Sequence, residues 1–383
     1  AMAAEAPLVH EGRASNVLKE IRVRRGDVEA GFAQADVIVE GVYATQAVEH
    51  AYMQPESGIG SIDEAGRVAV SVATQGPHDD LHQISHLLDV PQEQLRETVP
   101  AIGGAFGGRE DMFIQHLLAL CAHVVRRPVK MTFTREESIR RTGKRHPFTF
   151  RCRTGATRDG RLVAGEVEAI ADVGAYASTS IPVLANAVTF MAGPYRIPNF
   201  RVDGYAVYTN NVVTMAMRGF GATQPPMAYE QQMDRLAEAL GMDPVEFRLK
   251  NILALGDETV LGNRMPAGTG MRETLIAAAR AAGWREEGGH WIRPDAGRPS
   301  APYKRRGIGV AATLKNVCYS LGFDDHSAAD VELTLDDAGQ ISRGTVGIGA
   351  TEVGQGVHTV IQQVAADTLG VEVGAVRVNL VDT

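Results

Sequence analysis

The order of apolar and polar residues predicts a chain of interleaved strands and helices, since strands alternate with a period of two and amphipathic helices repeat every three to four residues. Strands are predicted at residues 37–43, 68–73, 95–100, 129–134, 148–154, 162–172, 308–313, 329–335, 341–348 and 376–381. Helices are predicted at residues 27–36, 81–88, 112–125, 226–240, 243–251, 272–282 and 359–369. This mixture predicts an α+β fold of mixed sheet-and-helix domains.

A stretch rich in glycine, proline, arginine and glutamate divides the chain. Such a composition is typical of a linker. We therefore predict a first domain at residues 1–255, a bridge at 256–304 and the start of a second domain at 305–383. The last predicted strand has no turn or closing element after it, so we expect the second domain to be truncated and the chain to be a fragment.

Three glycine-rich turns are the main candidates for chemistry, at residues 101–110, 217–226 and 347–356. Glycine allows positive φ and close approach of a ligand, and a helix N-terminus offers unpaired N–H groups. Each turn therefore predicts an anion site. The aromatic, acidic and amide side chains within the turns further predict contacts with a flat heterocyclic ligand.

The familiar nucleotide motifs do not fit these turns. Residues 103–108 lack the Gly-x-Gly-x-x-Gly spacing and are not followed by an acidic residue roughly 20 positions later. None of the three turns contains the Gly-Lys-Ser/Thr of a phosphate loop. Neither a dinucleotide fold nor a nucleotide hydrolase is therefore predicted.

Composition narrows the class of protein further. The chain has 383 residues, 44% of them hydrophobic, and a net charge of -8, so it has a large core but no basic stripe for nucleic acid. Its three cysteines, Cys121, Cys152 and Cys318, form no metal or disulfide pattern, which favours a reducing compartment. Neither a membrane span nor a signal peptide is predicted. The acidic and histidine residues at 78–80 and 324–326 are interpreted as surface loops or turn caps.

A faint internal similarity accompanies the turns. Residues 98–104 and 345–350 each precede a glycine loop and a helix with glutamine near its middle, Gln115 in one case and Gln362 or Gln363 in the other. This pattern predicts two related units.

The three turns, in this order and at this separation, resemble the molybdenum-cofactor-binding subunit of the xanthine dehydrogenase and aldehyde oxidase family. Residues 49–56, 193–199 and 243–251 support the resemblance, which extends over nearly the whole chain. It implies a molybdenum cofactor, molybdopterin or molybdopterin cytosine dinucleotide. The metal would be held by the dithiolene of the pterin and by no protein side chain.

The same resemblance assigns roles to individual residues. Phe106, Gly107 and the backbone of Arg218 would lie beside the molybdenum ligands, and Gln355 would hydrogen-bond the pterin. Phe220 would stack on the substrate, and Glu110 would orient or protonate it. The cofactor-binding residues implied are Gly104, Phe106, Gly107, Gly108, Arg218, Gly219, Gly354, Gln355 and Gly356.

The resemblance also implies an oxidoreductase that hydroxylates an aldehyde or an aromatic N-heterocycle with water as the oxygen source. Iron-sulfur clusters and FAD would reside on partner subunits or domains, and the complex would be cytoplasmic. The general-base glutamate of the family is expected in a further segment of the molybdenum subunit, so this chain alone would be inactive.

Two residues depart from the family pattern. Val48 stands where many members have a glutamine near the metal, so the hydrogen bond of that glutamine is not expected here. Asn186 stands where purine-oxidising members have a substrate-orienting arginine, so a purine is disfavoured. Two other functions stay open. One is reductive dehydroxylation of an aromatic thioester, as in hydroxybenzoyl-CoA reductases, which extra cluster-binding cysteines in a flavin subunit would favour. The other is a non-catalytic assembly module, favoured by Val48 and Asn186 but disfavoured by the intact turns.

Overall fold

The computed structural model describes residues 1–3, 5–295, 297, 301–316, 326–379 and 381–383. Its helices are α1 Val28–Phe32, α2 Pro77–Leu88, α3 Gln115–Val125, α4 Arg135–Arg141, α5 Ser180–Thr189, α6 Pro226–Ala239, α7 Pro244–Asn251, α8 Met271–Ala281 and α9 Val357–Leu369. Its strands are β1 Val17–Arg25, β2 Val37–Ala44, β3 Ser57–Ile62, β4 Val68–Val72, β5 Leu95–Thr98, β6 Val129–Thr132, β7 Phe148–Ala156, β8 Leu162–Gly174, β9 Asn199–Tyr208, β10 Arg285–Glu287, β11 His290–Ile292, β12 Ala329–Leu335, β13 Ile341–Ile348 and β14 Val376–Val378. The predicted α+β class is confirmed.

The chain folds into two compact units, each built from separate stretches of sequence. The first unit contains residues 1–47 and 146–214 together with the described part of 219–323. The second contains residues 48–145 and 215–218 and the described part of 324–383. The linear division into domains at residues 255 and 304 stays a prediction.

The first unit is centred on a five-stranded sheet in the order β1-β9-β8-β7-β2. The β8–β9 pair is parallel and the other pairs are antiparallel. Helices α5 and α6 pack on the sheet and enclose a core in which the rings of Phe148 and Phe150 stack at 5.3 Å. Arg248 is fully buried, and its 2.8 Å ion pair with Glu230 joins α7 to α6.

Among its described residues, the second unit contains two sheets. One sheet has four strands in the order β5-β4-β3-β6 and packs against α2 and α3. The other has three strands in the order β12-β13-β14 and packs against α9. The strand β3, which the sequence analysis missed, contains Gly58 and Gly60. A Cβ on Gly60 would lie 2.4 Å from the carbonyl oxygen of Leu118, so glycine allows α3 to approach the sheet. The same glycines remove the apolar alternation by which a strand is recognised.

The strand predicted at residues 308–313 is wrong, since no strand is assigned there. Ile308, Val310 and Ala312 do alternate inward, but they pack against a cluster that contains Trp284 and Trp291. An extended segment lying on a helix-and-tryptophan core therefore produces the same period of two as a strand.

Within the residues that the structure describes, no helix combines the length and apolar character needed to cross a membrane. Cys318 and the pair Asp324–Asp325 lie outside the described residues, so their predicted roles receive no structural account.

Candidate functional site

The first glycine turn, residues 101–110, connects β5 to the segment before α3 in the second unit. Gln75 fixes its far end, since its side-chain oxygen accepts hydrogen bonds from the N–H groups of Gly107 at 3.1 Å and Arg109 at 3.3 Å. The N–H groups of Gly104, Ala105 and Phe106 have no partner among the described residues, although Ala105 is fully buried. Three consecutive unpaired donors are suited to bind an anionic or oxygen-rich ligand.

Two glycines in this turn are required for close packing. Gly107 has φ 92°, and a Cβ there would lie 2.9 Å from the carbonyl carbon and oxygen of Ala216. A Cβ on Gly108 would lie 2.7 Å from Cγ of the His50 ring. Any side chain at these positions would therefore displace either the backbone at 216 or the imidazole.

Phe106 has an unusual backbone conformation for a bulky residue, with φ 56°. A non-glycine residue in the left-handed region costs roughly 1–3 kcal/mol and persists where its surroundings hold it. Its carbonyl oxygen accepts a 2.8 Å hydrogen bond from the N–H of Arg218, while the residue as a whole is 43% exposed. The second glycine turn thus contributes its backbone at residue 218 to the same unit as the first.

Arg109 is a buried clamp for the first turn. It is only 2% exposed, and its guanidinium donates to the carbonyl oxygens of Gly104 at 3.0 Å and Gln54 at 2.5 Å. It also stacks over the ring of Tyr52 at 4.1 Å, and the Tyr52 hydroxyl donates to Glu56. No role for Arg109 is predicted from the sequence, because an arginine in a polar turn gives no sign of its burial.

Glu110 follows the clamp and is the candidate proton-carrying residue of the turn. Its half-buried carboxyl group has no hydrogen-bond partner among the described residues. Desolvation, with a smaller contribution from Asp111, raises the pKa of Glu110 to about 7. A carboxyl group with such a pKa donates or accepts a proton near neutral pH.

The remainder of the second turn, including Gly219 and Phe220, belongs to the first unit. Phe220 has φ 49°, and its carbonyl oxygen accepts a 2.9 Å hydrogen bond from Nδ2 of Asn186 on α5. A Cβ on Gly221 would lie 2.1 Å from the carbonyl oxygen of Val183 on the same helix. Asn186, which is 1% exposed, therefore positions the backbone of Phe220.

The third turn corrects the expectation that every glycine turn is an open anion site. The carboxylate of Glu352 accepts hydrogen bonds from Gly354 at 2.8 Å, Gly356 at 2.9 Å and His358 at 3.2 Å. The N-terminus of α9 is thus occupied by an anion from the chain itself. Because of these hydrogen bonds, first that from Gly356, the pKa of Glu352 lies below its ordinary value.

Gln355 lies on the exposed surface of this turn, and its amide group bonds the turn itself. Its oxygen accepts from the N–H of Val353 at 2.6 Å, and its nitrogen donates to the carbonyl of Thr351 at 2.9 Å. Val353 packs against the apolar cluster that contains Ile102 and Ala105 of the first turn. The structure therefore brings the first and third turns together within the second unit.

The predicted cofactor-binding residues accordingly divide between the two units. The second unit holds Gly104, Phe106, Gly107, Gly108, Arg218, Gly354, Gln355 and Gly356, and the first unit holds Gly219 and Phe220. The binding roles assigned to all of these residues stay predictions.

A buried carboxyl pair lies behind the first turn. Asp80 and Glu97 are both fully buried, and Gln115 donates to Asp80 at 3.2 Å. Desolvation is the largest cause that raises the pKa of Glu97 to about 10 and that of Asp80 to about 6. The surface-loop interpretation of residues 78–80 is therefore wrong for Asp80, which faces inward from the first turn of α2, whereas His78 and Asp79 are exposed.

Known proteins match this chain over its whole length. The sequence model described as a molybdopterin cofactor-binding domain matches residues 9–252, and a second model of that description matches residues 277–383. The chain is 40% identical over 282 residues to the nicotinate dehydrogenase large molybdopterin subunit of Eubacterium barkeri, which covers 74% of this chain and 66% of that subunit.

Two further comparisons extend over the full chain. It is 36% identical over 383 residues to a probable xanthine dehydrogenase subunit of Bacillus subtilis, covering 100% of this chain and 49% of that protein. The crystal structure of the aldehyde oxidoreductase from Desulfovibrio desulfuricans matches with a TM-score of 0.85 and 26% identity, covering 100% of this chain and 41% of that one. The chain thus spans about half the length of such relatives.

These matches confirm the resemblance to molybdenum-cofactor-binding subunits of the xanthine dehydrogenase and aldehyde oxidase family, and with it the molybdopterin cofactor. The two domain models, together with the three turns described above, establish that the chain belongs to the molybdopterin cofactor-binding domain family.

Proposed function

We propose that this chain is the molybdopterin-binding part of a molybdenum hydroxylase that oxidises an aldehyde or an aromatic N-heterocycle with water as the oxygen source. One observation carries the proposal. The unpaired N–H groups of residues 104–106 stand in the same short turn as Glu110, whose pKa is about 7. Donors for an oxygen-rich ligand and a proton-carrying group thereby stand in one short turn.

The donor set fits a molybdopterin. The oxo and phosphate oxygens of the cofactor are hydrogen-bond acceptors. The N–H groups of Gly104, Ala105 and Phe106 are hydrogen-bond donors that lack a partner among the described residues. When bound, the cofactor supplies the metal centre that hydroxylates an electron-poor carbon and takes up two electrons. The side chains at this site would shape and hold the pterin, and none of them need ligate the metal.

In this proposal the chain's own residues hold a proton at the substrate and orient the substrate. Glu110, whose raised pKa keeps part of the population protonated near neutral pH, donates a hydrogen bond to a ring nitrogen or carbonyl oxygen of the substrate and holds the proton there. Phe220, fixed through Asn186, presents its ring to a flat substrate. The clamp of Arg109 keeps the turn in place while these contacts form.

Two observations support the proposed substrate class. The relative with 40% identity is named for nicotinate, an aromatic N-heterocycle, and the structural relative is named for aldehydes. Asn186 directs its amide nitrogen to the backbone of Phe220, so it is unsuited to replace the arginine that the resemblance assigns to purine oxidation. A purine is therefore disfavoured.

The proposal includes partners. Iron-sulfur and FAD subunits would carry the electrons away, and a further molybdopterin-subunit segment would provide the general base, since the matched Bacillus subtilis relative is about twice as long as this chain. We place such a complex in the cytoplasm.

The decisive experiment is metal and pterin analysis of the native complex that contains this chain, followed by turnover assays with nicotinate, quinoline, benzaldehyde and hypoxanthine. We expect molybdenum and pterin in equal amounts and turnover of a heterocycle or an aldehyde. A complex without molybdenum would refute the proposal, and a loaded complex that turns over none of these substrates would favour the assembly module. Reduction of an aromatic thioester would indicate the reverse chemistry.

Two substitutions separate binding from turnover. Gln355→Ala is expected to lower the pterin content of the purified complex, whereas Glu110→Gln is expected to retain the pterin and lower kcat at least tenfold. Glu372→Gln, at an exposed position outside all three turns, is the control for both. If both test variants behave like the control, the residue roles are wrong.

A further inference from the structure

Two segments of the second unit have the same fold. In residues 57–98, β3 pairs antiparallel with β4, α2 follows, and β5 pairs parallel with β4. In residues 329–378, β12 pairs antiparallel with β13, α9 follows, and β14 pairs parallel with β13. The order and direction of every element agree.

The agreement extends to single hydrogen bonds in the first connecting turn. The carboxylate of Asp63 accepts from the N–H groups two and four residues later at 3.0 and 2.9 Å, and that of Asp336 does the same at 2.9 and 2.8 Å. Gly66 and Gly339 follow at the same position with φ 84° and 75°. The two turns are therefore equivalent residue by residue.

The ends of the two helices agree equally well. Asp89 after α2 and Gly370 after α9 are both left-handed, with φ 52° and 69°. The next residue, Val90 or Val371, donates to the carbonyl of Ser85 at 3.2 Å or of Ala366 at 3.0 Å. A single turn of 3-10 helix then leads into the parallel strand in both segments. We conclude that residues 57–98 and 329–378 are two copies of one structural unit.

This register differs from the one suggested by sequence. The third glycine turn precedes α9 and so corresponds to residues 73–76 before α2, whereas the first glycine turn follows β5. The sequence similarity between residues 98–104 and 345–350 aligns β5 with β13. Structurally, β13 is the counterpart of β4.

The first copy has two elements that the second lacks among the described residues. Strand β6 pairs antiparallel with the outer edge of β3, and α3 packs on the same strand. Strand β12, the counterpart of β3, has no neighbour on its outer edge among the strands that the structure describes. Its row of side chains on the α9 side of the sheet, Val331, Leu333 and Leu335, is 57%, 44% and 58% exposed.

The helices show the same difference in coverage. Asp80 and Ile84 of α2 are 0% and 1% exposed, and Gln115 of α3 hydrogen-bonds Asp80. Counting back along each helix from the equivalent left-handed residues Asp89 and Gly370, Asp80 corresponds to Ile361 of α9. By the same count, Ile84 corresponds to Ala365. Both of these apolar residues are only partly buried. The flank of α9 that corresponds to the α3-covered flank of α2 is thus open.

Two further valines extend this open flank. Val360 and Val364, one turn apart on α9, are 52% and 58% exposed. Val364 lies three positions after Ile361, so the two side chains are neighbours on the helix surface. Exposed apolar surface beside an unpaired strand edge is typical of an interaction site.

We propose that the open β12–α9 surface, formed by Val331, Leu333, Leu335, Ile361, Val364 and Ala365, binds a helix–strand segment of a further molybdopterin-subunit polypeptide. The helix lies across β12 beside α9, as α3 does on β3, and the strand extends the sheet antiparallel to β12, as β6 does on β3. The occupant is thus an apolar-faced helix of about three turns followed closely by a short strand.

The side chains on this surface specify the fit. Counting back from the equivalent aspartates, Gly58 and Gly60 of β3 correspond to Val331 and Leu333 of β12. The glycines let α3 approach closely, with Leu118 Cδ1 only 2.7 Å from where a Cβ on Gly58 would stand. A helix over Val331 and Leu333 must lie farther out or present small residues. A symmetric contact between two copies of this chain through this surface would place β12 against β12, with bulky residues on both sides.

The proposal is tested by hydrogen exchange on the isolated 383-residue chain and on the native molybdenum complex that contains it. We expect amides of residues 329–335 to exchange at least tenfold more slowly in the complex, while those of residues 57–62, already covered by α3 and β6, exchange equally in both. Unchanged exchange at 329–335 would overturn the proposal. Protection in the isolated chain that increases with its concentration would assign the surface to self-association instead.

Variants identify the side chains responsible. Leu333→Lys and Val364→Lys are expected to lower recovery of the remaining molybdopterin-subunit polypeptide with the tagged chain at least tenfold, with unchanged unfolding midpoints because both side chains are exposed. Glu332→Lys, on the opposite face of β12, is the matched control and is expected to retain recovery. Equal recovery for all three would refute the surface. Because no readout depends on metal or turnover, failure here leaves the proposed function untouched.

Discussion

The N–H of Arg218 donates a 2.8 Å hydrogen bond to the carbonyl oxygen of Phe106, a residue held at φ 56°. Two sequence motifs more than a hundred positions apart are therefore joined by backbone atoms. Such a contact constrains the backbone at 218 without requiring a particular side chain there. The backbone of Gly107 also lies directly against Ala216, which explains why a glycine stands at that position.

Replacing Gly107 by alanine tests this contact. The new Cβ would stand 2.9 Å from the Ala216 carbonyl in addition to occupying φ 92°. We expect a loss of about 2 kcal/mol or more in the free energy of unfolding, about 1 of it from the backbone conformation alone, and a lower pterin content. Urea unfolding of the isolated chain and pterin analysis of the complex measure the two effects.

The matched control for this substitution is Gly66→Ala. Gly66 has φ 84° in the same unit, but no atom lies within 4 Å of the position that its Cβ would take. It therefore reports the backbone effect without the clash. Equal losses for the two variants would contradict the close-approach role of Gly107.

The carboxyl group of Glu110 gives a pH-dependent prediction. Its pKa of about 7 in the folded chain exceeds the ordinary value, so the unfolded state ionises first as the pH rises. Stability is consequently lost between about pH 4.5 and 7 and changes no further above that window. Glu110→Gln should unfold like the parent below pH 4.5 and be the more stable protein above pH 7, by on the order of 1–2 kcal/mol after allowance for partial exposure. Urea midpoints at about pH 4.5, 6 and 8 test this, with Glu93→Gln as an exposed control.

The buried pair Asp80 and Glu97 gives a broader window. With the pKa of Glu97 raised to about 10, the folded chain keeps a proton that the unfolded chain releases above about pH 4.5. Stability should therefore decline progressively from that pH toward about pH 10. Glu97→Gln keeps the shape of the side chain but removes the titration, so its advantage over the parent should grow with pH through this range, as measured by urea midpoints at about pH 5, 7 and 9.

A second variant tests the same prediction in case Glu97→Gln misfolds. Counting from the equivalent left-handed residues Asp89 and Gly370, Glu97 corresponds to Val378, so the second copy of the structural unit carries a valine at this strand position. Glu97→Val should likewise flatten the decline with pH. A parent-like decline in both variants would show that the pair does not control the alkaline stability.

The sequence predicted most of the local elements but missed others, among them β1, β9, α4 and α5, and it predicted the interior contacts poorly. The strands at 329–335 and 341–348 and the cap of Asp243 on α7 were predicted at their observed positions, because alternation and capping are local signals. The burial of Arg109, the pairing of Asp80 with Glu97 and the bond from Asn186 to Phe220 depend on residues distant along the chain. No local pattern encodes such partners, and polar residues at those positions resemble surface residues.

The carboxylate of Glu352 stabilises the start of α9 and can be removed without touching the core. It accepts from three N–H groups, so Glu352→Ala is expected to cost about 1 kcal/mol of stability at about pH 7, the typical effect of losing a helix cap. Because its pKa in the folded chain is depressed, this stabilisation is complete above the ordinary glutamate pKa of about 4.5 and is lost as the pH falls through the lower folded value. The difference between parent and variant, measured by urea unfolding, should therefore vanish in acid.

The control is Glu372→Ala, because the side chain of Glu372 forms no such bonds to the described residues. A Glu352→Ala difference that persists below about pH 3 would indicate that Glu352 acts by packing instead of by its charge.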